Sequence, residues 1–123
     1  MNLEFSRSLR LLTPADFKRV LDAPTLRASH ATFVLLAREN DAAVARIGFV
    51  LPKRRVRHAV ARNRVKRIMR EAFRRQHAAL SGLDIVVMAR DGLPALDKPA
   101  LRAAADRQLQ YLAGKWQARS AAP

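Results

Sequence analysis

The stretch RIGFVLPKRRVRHAVARNRVKRIMREAFRR, residues 46–75, carries an apolar strand, a basic loop and a basic helix in immediate succession. Apolar residues alternate over 46–51, and Pro52 ends the strand because proline cannot donate a hydrogen bond to a ladder. Over 58–76 the apolar residues change to helical spacing. They form one stripe, which consists of Ala61, Val65, Ile68, Met69 and Ala72. The stretch therefore predicts a strand followed by an amphipathic helix.

Positive charge is concentrated in this same stretch. The 123 residues contain 24 Lys and Arg against 10 Asp and Glu, a formal net charge of +14. Residues 53–75 hold eleven basic residues and one acid, whereas residues 84–112 are neutral. Charge drift across the whole chain would not produce this contrast. The concentration predicts a polyanionic partner for residues 53–75.

The basic side chains of the helix share one side of it. At about 100° per residue, Arg62, Lys66, Arg70 and Arg74 form a row opposite or adjacent to the apolar stripe. Like charges at this spacing destabilise an isolated helix by a few tenths of a kcal/mol per pair. Phosphate groups would neutralise the row, and arginine binds phosphate with two parallel hydrogen bonds. We therefore expect the loop and the helix to bind nucleic acid as one surface.

The rest of the chain supplies elements on both sides of this stretch. Thr13-Pro14-Ala15-Asp16 carries the signals of a helix start. Residues 31–38 predict a strand with two apolar faces, joined by a hairpin loop at 39–41 to the strand at 46–51. Asp84–Arg90 predicts a third strand, and Asp97 the cap of a last helix. The order α-β-β-α-β-α predicts an α/β sandwich with one small sheet.

One domain accounts for the whole chain, residues 1–123, with flexible ends at about 1–8 and 118–123. The absence of cysteine excludes disulfide scaffolds, thiolate zinc sites and a cysteine nucleophile. The longest apolar runs are five residues, and the N-terminus has no apolar signal segment. We therefore expect a soluble, cytoplasmic protein that does not bind membranes.

The histidines and the acids show no metal-ligand spacing. The histidines are His30, His58 and His77. No metal site and no catalytic residue is therefore expected in the polypeptide.

Several segments together resemble the protein subunit of bacterial ribonuclease P. Residues 61–67, Ala-Arg-Asn-Arg-Val-Lys-Arg, are similar to the Arg-Asn-Arg signature helix of that family. Residues 46–54 resemble its second strand and basic loop. Residues 11–17 and 84–90 match in kind and in order, so that the resemblance covers about residues 6–112.

The resemblance implies both a fold and a function. The fold is similar to a ribosomal-protein domain with a left-handed β-α-β crossover, although general rules favour a right-handed one. The function is that of a subunit in a ribonucleoprotein endoribonuclease that removes the 5′ leader from precursor tRNA. The partners are a catalytic RNA, bound by a monomeric protein in a 1:1 complex, and the precursor tRNA. The RNA holds the catalytic centre and most of the Mg²⁺, so that the polypeptide alone is not expected to be catalytic.

The residues expected to bind RNA combine the loop and the basic helix. They are Lys53, Arg54, Arg55, Arg57, Arg62, Asn63, Arg64, Lys66, Arg67 and Arg70. The resemblance places the single-stranded leader in a cleft between the first helix and the sheet, lined by Phe17, Leu21, Val34 and Leu36. Leu21 and Leu36 stand where family members can carry aromatic residues, so leader stacking is expected to be weaker here. From the residues alone, Phe17, Val34 and Leu36 would be ordinary core.

Three other functions compete with this interpretation. A structural ribosomal-type protein that binds rRNA without a role in cleavage fits the size and charge equally well. A protein-only nuclease would need clustered acids or histidines, which the spacing does not provide. A DNA-binding basic helix usually acts in a dimer, and no heptad seam is visible. Cleavage of precursor tRNA in the presence of the catalytic RNA distinguishes the first two possibilities.

Overall fold

The computed structural model describes residues 12–121 and has a mixed α/β architecture, as the sequence predicts. Within these described residues, one four-stranded sheet packs against three helices. The elements in chain order are α1 (Pro14–Asp22), β1 (Leu26–Ser29), β2 (Phe33–Glu39), β3 (Arg46–Val50), α2 (Ala59–Arg75), β4 (Leu83–Ala89), a 3-10 turn (Leu93–Ala95) and α3 (Lys98–Ala121). Flexibility at 1–8 and 118–123 stays a prediction, and residues 1–8 and 122–123 lie outside the described residues.

The predicted helix starts are confirmed by their capping hydrogen bonds. The Asp16 amide donates to Thr13 Oγ1 at 3.1 Å, and the Thr13 amide donates to Asp16 Oδ2 at 3.0 Å. Partial burial would raise the pKa of Asp16, but the Thr13 hydrogen bonds and the charges of Arg46 and Arg19 hold it below its ordinary value. At α3, the Ala100 amide donates to Asp97 Oδ1 at 2.9 Å. Side-chain caps therefore satisfy backbone donors at the first turns of both helices.

The strand order is β1-β2-β4-β3, so the predicted hairpin between residues 31–38 and 46–51 is wrong. β4 lies between these strands, antiparallel to β2 and parallel to β3. Ile85, Val86 and Val87 at its centre are completely buried. Such a strand is stable where both edges are hydrogen-bonded and both faces are covered. The chain reaches it from β3 through α2, and the handedness of this crossover stays a prediction.

The edge strand β1 was not predicted from the sequence. It has four residues, of which Leu26 and Ala28 are buried while Arg27 and Ser29 are exposed. Two alternations are too short a pattern to distinguish a strand from a loop. Its antiparallel pairing with β2, Leu26 opposite Ala37 and Ser29 opposite Val34, places Arg27 beside Leu36.

The two faces of the sheet are covered to different extents. Phe33, Leu35 and Ile47 point into the main core, which α2 and α3 cover. Val34 and Leu36 point to the opposite face, into a smaller cluster beneath α1. The two-faced strand predicted at 31–38 is thereby confirmed. α1 has only nine residues, so it covers one end of this second face and leaves the other end open.

The two long helices pack through apolar stripes, and the stripe of α2 is the predicted one. In α2 the buried residues are Val65, Ile68, Met69, Ala72 and Phe73, and Ala61 packs against them partly buried. In α3, Leu101, Ala105, Leu109 and Leu112 are buried. Trp116 packs at the end of this stripe, and its Nε1 donates to the Ser81 carbonyl at 2.8 Å. The stripe of α2 faces the core and leaves its basic side outside.

A buried carboxylate holds α1 on the sheet. The Asp84 side chain, 1% exposed, accepts from Arg46 Nε at 2.7 Å and from Arg19 Nη2 of α1 at 3.1 Å. Arg46 Nη2 donates to the second carboxylate oxygen at 2.9 Å, and Asn40 Nδ2 donates at 2.8 Å. The hydrogen bond to Asp84 raises the pKa of Arg46, against the opposing effect of its partial burial. Asp84 therefore joins α1, β3, β4 and the loop after β2.

Gly48 permits the close approach of α1 to β3. A Cβ atom at this position would lie 2.4 Å from Cζ of Phe17 and 3.0 Å from a methyl carbon of Leu12. Contacts this short do not occur between packed carbon atoms, so any larger residue would displace the Phe17 ring. The absence of a side chain at Gly48 thus fixes how deeply α1 sits on the sheet.

We expect Asp84→Asn to lower the free energy of unfolding by about 3 kcal/mol, because it leaves Arg46 and Arg19 without their buried counter-charge. Urea denaturation followed by circular dichroism measures this loss. Asp22→Asn is the matched control. Its pair with Lys18 at 2.7 Å is 60% exposed on the Asp22 side, so the loss should stay below about 0.5 kcal/mol. Equal losses in the two variants would contradict a structural role for Asp84.

Candidate nucleic-acid interface

An open groove of about 600 Å³ occupies the end of the sheet that α1 leaves uncovered. Its floor is aliphatic and crosses three strands, with Val34 and Leu36 from β2, Val50 from β3 and Met88 from β4. Val34 and Leu36 are almost completely buried, whereas Val50 and Met88 are partly exposed. We call this the sheet groove. Its floor can contact ribose and base surfaces without hydrogen-bonding to them.

Four arginines line the sheet groove together with one acid: Arg27, Arg54, Arg55, Arg90 and Asp91. Arg90 Nη1 donates to the His30 carbonyl at 2.8 Å, which fixes its position at the end of β4. Arg55 Nη1 lies 3.5 Å from Asp91 Oδ1, but that carboxylate is 93% exposed and neutralises little charge. An aliphatic floor with a cationic rim is suited to a flexible polyanion whose apolar parts can reach the floor.

The basic loop, residues 53–57, forms one edge of this groove and has a defined conformation. The amides of Arg55 and Val56 both donate to the Pro52 carbonyl at 2.9 Å, and the Val56 side chain is completely buried. Arg62 Nη1 in α2 donates to the carbonyls of Val56 at 2.8 Å and Arg57 at 3.0 Å. The loop is therefore fixed from both sides, and Arg54 stays exposed on it.

The outer side of α2 continues the positive surface. We call it the basic face of α2, made of Asn63, Arg64, Lys66, Arg67, Arg70 and Arg74. Asn63, Arg67 and Arg74 are exposed and the other three are partly buried. The guanidinium of Arg70 lies over the Phe49 ring, 5.3 Å from its centroid. Stacking of this kind fixes the direction of the charged group without neutralising it.

The structure places the predicted site residues in three locations. Arg54, Arg55, Val34 and Leu36 come together in the sheet groove. The predicted residues of α2 other than Arg62 form its basic face, and Lys53 and Arg57 are exposed on the basic loop. Phe17 and Leu21 are not part of the groove lining. Phe17 packs on Gly48 in the cluster beneath α1, and Leu21 is 37% exposed on α1.

Arg62 differs from its neighbours on the helix. It is among the residues expected to bind RNA, but its side chain is partly buried and holds the basic loop in place. Its replacement would therefore change the loop as well as the charge. The side chain of His58, at the start of α2, makes no capping hydrogen bond.

Among the aliphatic residues of the floor and the arginines of the rim, the sequence did not indicate Arg27, Val50, Met88 and Arg90. Arg27 could not be placed without β1. Val50 and Met88 could have been found, because in alternating strands they share a face with Gly48 and Val86 respectively. Val50 pairs with Met88 across β3 and β4, and Met88 pairs with Val34 across β4 and β2. The three side chains therefore lie side by side in the groove floor.

The described part of the chain brings no three His, Asp or Glu side chains together in an arrangement that could hold a metal ion. Between residues 12 and 121, none of the helices combines the length and the hydropathy that crossing a lipid bilayer requires.

Comparison with known proteins gives a consistent result. Residues 5–113 match the family model of ribonuclease P. A ribonuclease P protein component from Pseudomonas putida is 48% identical over 101 residues, which are 82% of this chain and 76% of the relative. That of Pseudomonas savastanoi is 44% identical over 116 residues, 94% of this chain and 82% of the relative.

Solved structures agree with the sequence relatives. The RNase P protein of Staphylococcus aureus superposes with a TM-score of 0.73 at 25% identity, covering 83% of this chain and 93% of that one. The RNase P protein of Thermotoga maritima gives a TM-score of 0.69 at 29% identity, covering 85% of this chain and 96% of that one. The family model matches most of the chain, and both the sequence relatives and the solved structures are ribonuclease P proteins. The chain therefore belongs to the ribonuclease P family of protein components.

Proposed function

We propose that the chain binds the catalytic RNA of ribonuclease P and the single-stranded 5′ leader of precursor tRNA on two adjoining surfaces. The basic loop and the basic face of α2 bind the catalytic RNA. The sheet groove binds the leader. One observation carries this proposal: Arg54 and Arg55 belong both to the basic loop and to the rim of the aliphatic groove. A single protein can therefore hold the two RNAs next to each other.

Phosphate contacts account for the first surface. Exposed arginines such as Arg67 and Arg74 project from a helix whose opposite side is anchored in the core, so they present charge at fixed positions. Folded RNA offers a dense array of phosphates, and arginine binds phosphate oxygens bidentately. Binding on this surface follows the shape of the RNA backbone and depends strongly on salt, because every neutralised phosphate releases counterions.

A different balance of forces applies to the sheet groove. A single strand can turn its bases towards the floor, where Val34, Val50 and Met88 give apolar contact, while its phosphates reach the arginines of the rim. Among the residues that the structure describes, the floor has no aromatic ring, so the bases pack on aliphatic groups and gain little from stacking. This predicts leader binding that is tolerant of base sequence.

Catalysis and metal binding are proposed to reside in the complex with RNA. Mg²⁺ held mainly by the catalytic RNA supplies the activated water and the charge stabilisation for phosphodiester hydrolysis. The residues of this chain contribute by holding the leader against the catalytic RNA, which favours the geometry in which substrate phosphates contact the ions. We place this activity in the cytoplasm, with one protein monomer for each catalytic RNA.

We expect Arg67→Gln to weaken binding to the catalytic RNA and to reduce the slope of log affinity against log salt by roughly 0.7–0.9, the value for one phosphate contact. Fluorescence titrations at several salt concentrations measure both. Arg119→Gln, which removes an exposed charge paired with Glu39 at 3.2 Å on α3, is the matched control. Arg62→Gln should weaken binding and also destabilise the fold. An unchanged salt slope for Arg67→Gln would remove the basic face of α2 from the interface.

We expect Val50→Thr to lower the affinity of the reconstituted ribonucleoprotein only for substrates that have a long leader. Replacing a methyl by a hydroxyl removes about 0.8 kcal/mol of apolar contact, equivalent to about four-fold in affinity. Mature tRNA and a precursor with a one-nucleotide leader should bind as before. Val60→Thr makes the same change at a side chain that is 81% exposed and outside the groove.

Thermal melts of both valine variants show whether the fold is intact. An equal effect of Val50→Thr on long and short leaders would contradict leader binding in the sheet groove. A protein that only binds rRNA as a structural component would show no dependence on leader length in any variant.

A further inference from the structure

A second groove lies at the free edge of the sheet, between β1 and α3. It has a volume of about 500 Å³ and is lined by Arg27, Ser29, Arg107, Gln108, Tyr111 and Lys115. We call it the edge groove. The spacing of four residues places Arg107, Tyr111 and Lys115 along one side of α3, so that an aromatic ring stands between two cations. Apart from Arg27, which also lines the sheet groove, none of these residues is accounted for by the function proposed above.

Tyr111 is an unusual surface residue in this chain. It is 55% exposed, whereas the other aromatic side chains within residues 12–119 are buried or partly buried. Lys115 Nζ lies 5.3 Å from the centre of its ring and 3.4 Å from the Arg27 carbonyl of β1. The ring is thus held near the sheet edge while much of its surface remains in water. An exposed ring in this setting is a platform for a base.

The positive charge of the edge groove is not neutralised by neighbouring acids. Across the side chains described here, no carboxylate lies within 4.0 Å of Arg27, Arg107 or Lys115. The pKa of His30 is held below its ordinary value by burial and then by the charges of Arg107 and Arg90. Arg107 and Arg90 thus both add positive charge near this end of β1.

The two grooves meet at one residue. Arg27, exposed on β1, lines both the sheet groove and the edge groove. Since β1 is an edge strand of only four residues, a chain that leaves the sheet groove on this side passes Arg27 and then reaches Tyr111. We propose that the edge groove is a second subsite for single-stranded RNA, in which a base stacks on Tyr111 and the adjoining phosphates contact Arg27 and Arg107. The edge groove binds the part of the leader that extends beyond the sheet groove. This inference therefore rests on the leader binding proposed above.

The experiment uses the protein reconstituted with its catalytic RNA and a series of precursor tRNAs whose leaders increase by one nucleotide. Affinity should rise with leader length until both grooves are filled. Tyr111→Ser and Arg107→Gln should end this rise at a shorter leader and lower the affinity for the longest leaders roughly five- to ten-fold, within the range for one stacked base. Affinities for short leaders should be unchanged. Serine has nearly the helix propensity of tyrosine, so α3 is preserved.

Two variants serve as matched controls. Tyr111→Phe keeps the ring and should behave as the wild type, while Arg119→Gln removes an equal charge from the same helix outside the edge groove. A leader labelled with 5-iodouridine at each position in turn should cross-link to Tyr111 only at positions beyond those protected by the sheet groove.

The outcomes separate the two proposals. Val50→Thr can reduce the dependence of affinity on leader length while Tyr111→Ser leaves it unchanged. In that case the edge groove is not a subsite, and leader binding in the sheet groove is still supported. If neither variant changes the dependence, both proposals fail. If Tyr111→Ser and Arg107→Gln cause self-association of the protein without changing leader affinity, these residues protect a sheet edge from pairing and the inference is overturned.

Discussion

A single buried carboxylate sets the geometry on which the candidate site depends. Asp84 accepts hydrogen bonds from Arg46, Arg19 and Asn40, and so ties α1 to one end of the second sheet face. A charge buried this deeply is tolerated only with such partners, so α1 has no alternative position that keeps them. Gly48 lets the helix sit close at this end. The opposite end of the same face remains open, and there Val50 and Met88 form the groove floor.

The helix α2 serves the core and the surface at once. Its apolar stripe is buried against the sheet and α3, which offsets the repulsion among the arginines on its other side. Arg62 also joins α2 to the basic loop. Its guanidinium donates hydrogen bonds to two loop carbonyls, which fixes the shape of the loop. The basic surface is therefore ordered in the protein alone, and the proposed RNA binding would not have to supply the entropy cost of arranging it.

Local signals in the sequence were sufficient for the helices and for three of the four strands. The Thr13–Asp16 capping box, the stripe of α2 and the two-faced strand at 33–39 each follow from the order of residues within one element. Features made by residues far apart in the chain were not predictable in this way. The insertion of β4 between β2 and β3, the pairing of β1 and the hydrogen bonds of Asp84 join positions up to 65 residues apart. The same limit applies to the groove, whose floor comes from three strands.

Different side chains of the candidate site would provide affinity for RNA and selectivity for a single strand. In the proposed function, the rim arginines and the basic face of α2 act through phosphates, so their contribution falls with salt and is the same for every sequence. The aliphatic floor acts by contact area, which salt barely changes, and it requires a strand whose bases are free to turn inwards. A duplex cannot offer its bases in this way. In the proposed leader site, selectivity for a single strand would therefore follow from combining an apolar floor with a cationic rim.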